Sequence, residues 1–421
     1  MRASDRVRST LQAALGRVAA KGGLGEANPN DVRDFVIERP KRAEHGDYAT
    51  NVAMIAAKRA KKPPRAIADA LVAELGADDV IRSAEVAGPG FVNLRVQPAV
   101  LYEELEDILR AGKSYGKAPS ATRERVHLEF VSANPTGPIN VASGRNAIYG
   151  DTVGRLLEAT GNRVTREYYI NDFGNQIRLF ASSVRAAAKG EPIPEDGYHG
   201  EYVVELGAFL TKTAPAIVES AGDDFARLCV TYMLHGIPGS SVVPGIRTSL
   251  ASIGIHFDNW FSEESLHRWG AVPAALAELE KKGFLKAKDG ALFFVMPDKD
   301  GKAADDKDRV VKKSDGNYTY FASDIAYHAD KVSRGYDRLI TVLGADHHGY
   351  VARVRNALEA LGLPSEKYEA LLYQLVYIFR DGQAVKSSKR AGNFVTIEEV
   401  ADEIDEAAGR KGAGSDAVRF F

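Results

Sequence analysis

Residues 126–138, VHLEFVSANPTGP, decide the fold of this chain. Apolar and polar residues alternate over 126–130, which is the two-residue period of a β-strand. The proline- and glycine-rich remainder predicts a loop. An apolar stripe over 149–157 predicts a helix that ends at Gly161, and residues 163–170 predict the next strand. The order strand, loop, helix, strand predicts an α/β fold with a parallel sheet.

The same pattern returns later in the chain. Residues 339–343 predict an apolar strand, 344–349 a loop and 351–361 a helix, and 371–379 predict a further buried strand. Residues 177–270, between the two halves, predict a mostly helical insertion. Ligands of parallel sheets bind beyond the carboxyl ends of the strands, so both loops are candidate binding sites.

The first 115 residues predict a small α+β domain. Apolar residues share one helical face over 7–18 and another over 67–75, and residues 91–94 predict a short strand. Cations cluster over 58–65, where they could contact phosphates or form a solvated helix end. A chain of 421 residues is expected to hold two or three domains.

Composition excludes several classes of protein. The net charge of -2 excludes a globally basic nucleic-acid binder but not a local RNA-binding face, because attraction depends on where the cations lie. A single cysteine, Cys229, rules out an internal disulfide and a cysteine-built zinc site. No run approaches the ~20 apolar residues of a membrane span. Because Met1 leads into an amphipathic segment and not into a signal-peptide core, we expect a cytoplasmic protein.

A cationic segment, KSSKR at residues 386–390, follows the last apolar strand. Three cations in five residues can neutralise the charge of a reacting polyphosphate, although a solvated basic loop has the same composition. The chain has neither a G-x-G-x-x-G fingerprint nor a P-loop motif. His347 and His348 are adjacent on a loop and rarely would ligate one ion, so we expect no protein-bound metal.

Five motifs in order resemble those of class I arginyl-tRNA synthetases. They are EFVSANPTGP (129–138), REYYIND (166–172), YFASDIAYH (320–328), GADHH (344–348) and KSSKRAGN (386–393). The resemblance covers essentially the whole chain. It implies a Rossmann-type catalytic domain and an arginine-tRNA ligase that forms arginyl-adenylate. It also implies ATP carrying Mg²⁺, L-arginine and tRNA(Arg) as substrates, with tRNA generally needed before the first step.

The resemblance also implies a domain order and site residues. Residues 1–115 would contact the tRNA elbow, 120–385 would form the catalytic domain, and 386–421 would hold the KMSKR-like loop and the start of a helical region. The arginine site would comprise Glu129, Ser132, Asn134, Tyr320, Asp324 and Tyr327. The ATP site would comprise Pro138, Ala142, Gly344, Asp346 and His347. The catalytic groups would be Lys386, Lys389, Arg390, Asn140 and Ser143.

Residue chemistry agrees with arginine as the substrate, because a planar guanidinium requires carboxylates and aromatic walls. Asp324 and Tyr320 would hold that group, with Tyr327 on the same wall, while Glu129 and Asn134 would hold the α-amino group. Each residue also has an ordinary structural explanation: a strand residue, a helix cap or a core aromatic. The joint match in order favours the functional interpretation.

The chain departs from the family pattern at its His-x-Gly-His signature. Asn140-Val141-Ala142-Ser143 stands there, so neutral, shorter donors replace the two histidines that donate to the ATP phosphates. Ala142 adds a methyl group where adenine approaches. Ser387 replaces the methionine of the phosphate loop, but the cations remain. We expect Asn140 and Ser143 to substitute partly for the histidines in an active enzyme.

The chain ends at Phe421, where the family continues into an all-helical anticodon-binding domain. The apolar end predicts a truncation, and therefore weak tRNA binding. We expect a monomer. Two alternatives stay open: a non-catalytic module that binds tRNA or arginine, and an enzyme that passes adenylated arginine to an acceptor other than tRNA.

Overall fold

The computed structural model describes residues 2–76, 78–117, 123–220, 222–295, 309–374, 379–380, 383–384, 390–392 and 394–420. The chain forms two compact units, Met1–Gly116 and Lys117–Phe421. Within the described ranges, no helix is both long and apolar enough to cross a bilayer.

The first unit is a small α+β domain, as predicted. In chain order it contains α1 (Ala3–Ala20), β1 (Ile37–Glu38), β2 (Tyr48–Thr50), α2 (Val52–Ala60), α3 (Pro64–Leu75), β3 (Ile81–Ala87), β4 (Phe91–Val96) and α4 (Pro98–Ala111). The strands form an antiparallel sheet in the order β1-β2-β4-β3. The apolar stripes of α1 and α3 are buried in one core, because both helices need a partner for their apolar face.

The second unit carries the remaining elements. In chain order these are β5 (Arg125–Glu129), α5 (Val141–Ala159), β6 (Arg163–Ile170), α6 (Asn175–Lys189), α7 (Glu201–Thr213), α8 (Pro215–Glu219), α9 (Asp224–His235), α10 (Ile246–Ser252), β7 (Asn259–Ser262), α11 (Glu263–Arg268), α12 (Ala271–Lys281), β8 (Leu285–Lys288), β9 (Ala291–Phe294), β10 (Arg309–Lys312), α13 (Tyr320–Ser333), β11 (Arg338–Gly344), α14 (His348–Leu361), β12 (Tyr368–Tyr373), β13 (Phe379–Arg380), β14 (Gln383–Ala384), α15 (Ile397–Ala408) and α16 (Ala413–Phe420).

Five strands of this unit form a parallel sheet in the order β12-β11-β5-β6-β7. The chain moves outward from β5 to β7 on one side, then returns to place β11 and β12 on the other. This is the strand order of a Rossmann-type fold, so the predicted fold class is confirmed. The order reverses between β5 and β11, and ligands of such sheets bind at that switch point.

Two strands differ from their predicted positions. The last strand was predicted over 371–379, whereas β12 begins at Tyr368 and ends at Tyr373; residues 375–378 lie outside the described residues. The other, β7, lies inside the predicted insertion 177–270 and pairs with β6 at the sheet edge. With four residues it is too short to give a clear two-residue period.

Candidate active site

The carboxyl ends of the parallel strands bring acidic residues from distant segments to one edge of the sheet. Glu129 ends β5, Asp172 follows β6, Glu263 follows β7 and Asp346 follows β11. These strands are neighbours and run in the same direction, so the acidic residues lie along one edge. This edge of the sheet, which includes the switch point, therefore carries a concentration of negative charge.

The backbone that leaves β5 is strained. Val131 and Ser132 have φ angles of 69° and 43°, a conformation that is uncommon for residues other than glycine and rare for a β-branched residue such as Val131. The Oδ1 atom of Asn146 accepts the Val131 N–H at 2.7 Å, and its Nδ2 donates to the Val342 carbonyl of β11 at 3.1 Å. Asn171 donates to the Ser132 carbonyl at 3.0 Å. Such strain persists only where surrounding contacts fix it, and it is typical of functional loops.

Glu129 is held by a buried lysine. Lys331 is fully buried and its Nζ donates to Oε2 of Glu129 at 2.5 Å, while Ser132 Oγ donates to Oε1 at 2.9 Å. The Lys331 ammonium also lies 4.1 Å from the centre of the Tyr327 ring. Sequence reasoning missed Lys331, although its spacing from Asp324 and Tyr327 places it on their face of α13.

Asp324 faces other carboxylates. Burial raises the pKa of its carboxyl well above the usual range, and the charges of Glu263 and Glu129 raise this pKa further, against the opposing charge of Lys331. Glu263 is 2% exposed, and within the described part of the chain its Oε2 is buried without a hydrogen-bond partner. Buried carboxylates of like charge are costly unless a cation joins them. This cluster is suited to a cationic ligand.

Sequence reasoning also missed Glu263. Its position depends on β7, because Glu263 is the first residue of α11 and directly follows that strand. The available signal was the Ser-Glu-Glu sequence after an aromatic pair, which is an ordinary helix start in isolation. Without β7 in the sheet, nothing placed Glu263 beside Asp324.

Aromatic rings line the acidic cluster. The Tyr327 ring lies 4.4 Å from that of Tyr169 and 4.8 Å from that of Phe261. The Tyr327 hydroxyl donates to Oε1 of Glu167 at 2.6 Å. Tyr327 therefore contributes its ring to the site, because its hydroxyl is already bonded to Glu167. Tyr320 is 55% exposed. Burial, then the charges of Glu263 and Tyr198, raise the pKa of the Tyr320 hydroxyl, while Arg390 lowers it.

A neighbouring cleft of about 320 Å³ joins residues from two of the five motifs and from the Asn140–Ser143 signature. Its lining consists of Ala133, Asn134, Thr136, Ser143, Gln176, Tyr198 and Arg390. Asn134, Ser143 and Arg390 were assigned to the site from the sequence. Ser132, which bonds to Glu129 of the acidic cluster, is followed directly by Ala133 and Asn134 of the cleft lining, so the cluster and the cleft are neighbours.

Asn140 begins the helix beside the cleft. It is the N-cap of α5, and its Oδ1 accepts the Ser143 N–H at 2.9 Å. A helix N-terminus favours anions because its first N–H groups point outward and its dipole is positive there. Ser143 therefore lines the cleft, and the Asn140 amide oxygen caps the helix.

The other residues predicted for the ATP site lie around this edge. Pro138 is buried in the loop that follows β5, and Ala142 is half-buried in the first turn of α5. Gly344 ends β11, and the exposed Asp346 and His347 belong to the turn after it. Lys386 and Lys389 lie outside the described residues. Among those described, no group of three or more His, Cys, Asp or Glu could hold a metal ion.

Comparison with known families decides the classification. The model of the arginyl tRNA synthetase N terminal domain matches residues 5–96. The model of the catalytic domain of class I (R) tRNA synthetases matches residues 104–195 and 241–416. The chain belongs to the arginyl-tRNA synthetase family. The catalytic-domain match leaves residues 196–240 unassigned between its two parts.

Relatives from several bacteria support this membership. The arginine-tRNA ligase of Citrifermentans bemidjiense is 44% identical over 406 residues, which is 94% of this chain and 70% of the relative. That of Frankia alni is 44% identical over 411 residues, or 97% and 71% of the two chains. The Thermus thermophilus arginyl-tRNA synthetase structure, 22% identical, has a TM-score of 0.61 over 98% of this chain and 73% of that one, and shows the same fold.

Proposed function

We propose that this chain is an arginine-tRNA ligase that activates L-arginine with ATP and passes the arginyl group to tRNA(Arg). One observation carries the proposal: an acidic cluster flanked by tyrosine rings adjoins a cleft lined by Ser143 and Arg390 at the switch point of a parallel sheet. The cluster offers the charge that a guanidinium requires. The cleft offers donors and a cation to a polyphosphate.

In this proposal the substrate guanidinium lies between Asp324 and Glu263, against the ring of Tyr320. A guanidinium presents five N–H donors in one plane, and two carboxylates can accept several of them at once. Binding also removes the repulsion between the two acids. Glu129 and Asn134 hold the α-amino group, and Lys331 fixes the orientation of Glu129.

The chemistry then follows from the arrangement of charge. The arginine carboxylate attacks the α-phosphorus of ATP, and the bond to pyrophosphate breaks. Arg390, Ser143 and the N-terminus of α5 stabilise the charge that develops on the phosphate oxygens. A ribose hydroxyl at the 3′ end of tRNA next attacks the arginyl carbonyl carbon, and AMP leaves. Mg²⁺ arrives with ATP as part of the substrate.

Pyrophosphate exchange into ATP tests the proposal directly. We expect exchange that requires L-arginine and tRNA(Arg), with no exchange when lysine replaces arginine. Absence of exchange under every condition would favour a non-catalytic binding module. Arginine-dependent exchange that needs no tRNA would favour an enzyme with a different acceptor.

The altered signature gives the next prediction. The double variant Asn140→Ala with Ser143→Ala should lower the exchange rate about 10²-fold, because one well-placed donor in such a site contributes about 10²–10³ in rate. Thermal unfolding must be measured in parallel, since losing the N-cap costs about 1 kcal/mol. The Asn140→Ser variant keeps a capping side chain, so it separates the loss of exchange rate from the loss of helix stability. An unchanged rate in the double variant would remove both residues from the mechanism.

Arginine binding should depend on pH through Asp324. The pKa of this carboxyl is raised in the free protein, and a bound guanidinium favours its ionised form, so binding releases a proton between the two pKa values. Affinity for arginine therefore weakens as pH falls through that window, by up to about tenfold per pH unit for one proton. Calorimetry in buffers of different ionisation enthalpy measures the proton release. A pH-independent affinity with no proton release would contradict the assignment.

A further inference from the structure

Residues 198–202 precede and enter α7, in the part of the chain that the catalytic-domain family model leaves unassigned. They contact residues 390–392 and Phe394, the described residues at and after the end of the cationic segment 386–390. The His199 N–H donates to the Arg390 carbonyl at 2.9 Å. The Arg390 guanidinium lies 5.9 Å from the centre of the Tyr198 ring. The backbone and the side chain of Arg390 thus both contact this segment.

Gly392 approaches the same segment even more closely. A Cβ atom added at Gly392 would lie 2.8 Å from the Gly200 Cα and 3.1 Å from the Gly200 nitrogen. Both neighbours are backbone atoms, so no side-chain rotation could relieve the overlap. Two residues after Gly392, the Phe394 ring packs edge-on against that of Tyr202, with 6.0 Å between centroids.

The 198–202 segment also contacts the loop after β5. The buried Tyr202 hydroxyl donates to the Thr136 carbonyl at 2.9 Å. Thr136 and Tyr198 line the same cleft as Arg390 and Ser143. One short segment therefore connects two loops that come from opposite ends of the catalytic unit, and both loops border the cleft.

We propose that residues 198–202 position Arg390 for catalysis, with Tyr198 forming part of the ATP-site wall. This inference rests on the proposed function and adds a positioning element to it. A cation on a loop stabilises a developing charge best when its place is fixed before the reaction, because no reorganisation is then needed. Displacing such a group by about 1 Å can cost about 10² in rate. With neutral Asn140 and Ser143 replacing histidines, a well-placed Arg390 matters more.

Gly392→Ala tests the inference. The added methyl group forces residues 390–392 away from Gly200, so kcat for exchange should fall about 10²-fold, while the arginine dissociation constant changes little. ATP binding, measured by calorimetry, should weaken about tenfold, as expected when a contact to a charged group is lost. The matched control is Gly190→Ala. Its φ of +69° nearly equals the +71° of Gly392, but its Cβ would meet open space.

ATP affinity and kcat for exchange together distinguish failure of the positioning role from failure of the proposed ligase function. Equal effects of Gly392→Ala and Gly190→Ala on ATP affinity and kcat would overturn the positioning role, because backbone strain alone would then explain both. Absence of exchange in the wild-type protein would contradict the proposed ligase, but the ATP affinities of the two variants would still test the contact. Tyr202→Phe, which removes the hydroxyl that bonds to the Thr136 carbonyl, should give a smaller loss in the same direction.

Discussion

Asp324→Asn should reduce arginine affinity by about 10²–10⁴-fold, because breaking a buried charge pair costs about 3–5 kcal/mol. The substitution removes one negative charge and preserves the shape of the side chain. It should not reduce the stability of the arginine-free protein, since the half-buried Asp324 there experiences the like charges of Glu263 and Glu129. Lost affinity with an equal or higher melting temperature distinguishes a ligand-binding carboxylate from a structural one. Calorimetry with L-arginine and thermal unfolding measure the two quantities.

Asp330→Asn is the matched control on the same helix. Asp330 is half-buried and its Oδ2 lies 3.0 Å from the Nε of Arg334, so its charge has an internal partner. This variant should lower the melting temperature and leave arginine affinity nearly unchanged. If Asp324→Asn bound arginine as well as Asp330→Asn does, Asp324 would not belong to the guanidinium site.

Arg390→Ala should lower kcat for exchange by about 10²–10³-fold, the usual loss when one preorganised group that stabilises the transition state is removed. Arginine affinity should stay close to wild type, because the guanidinium pocket is formed by other residues. Arg390→Lys should recover part of the rate, since it restores the charge without the planar fork. Initial rates at saturating arginine, with varied ATP, separate kcat from KM.

Arg163→Ala provides the control for loss of a positive charge. Arg163 is exposed and begins β6, at the sheet edge opposite the carboxyl ends of the strands. Its removal should leave kcat and both substrate affinities unchanged. A rate for Arg390→Ala within about threefold of the Arg163→Ala rate would fall far short of the 10² expected for a phosphate-site cation.

The sequence predicted the sheet well where strands were long or apolar. The alternation over 126–130 and the apolar run over 339–343 correspond to β5 and β11, which flank the switch point. The four-residue β7 gave no period to recognise, and its place at the sheet edge follows from pairing with β6. Glu263 was missed for the same reason, because it directly follows β7 and its place in the site depends on that strand.

The hydrogen-bond partners of individual side chains could not be predicted from the sequence either. Tyr327 was predicted in the arginine site, but only its place in the fold shows that its hydroxyl is used by Glu167. Asn140 was predicted as a phosphate donor, and its capping role had a signal in the strong preference of asparagine for N-caps. The contacts of residues 198–202 with Arg390 and Gly392 join segments nearly two hundred positions apart, which no local pattern reveals.

A structure with 5′-O-(arginylsulfamoyl)adenosine, a stable mimic of arginyl-adenylate, tests most directly whether the acidic pocket and the cationic cleft form one active site. The guanidinium should bridge Asp324 and Glu263 beside Tyr320, and the sulfamoyl group that replaces the phosphate should lie within hydrogen-bonding reach of Ser143 or Arg390. A guanidinium bound away from Asp324, or an adenylate mimic that leaves the 320 Å³ cleft empty, would contradict the account.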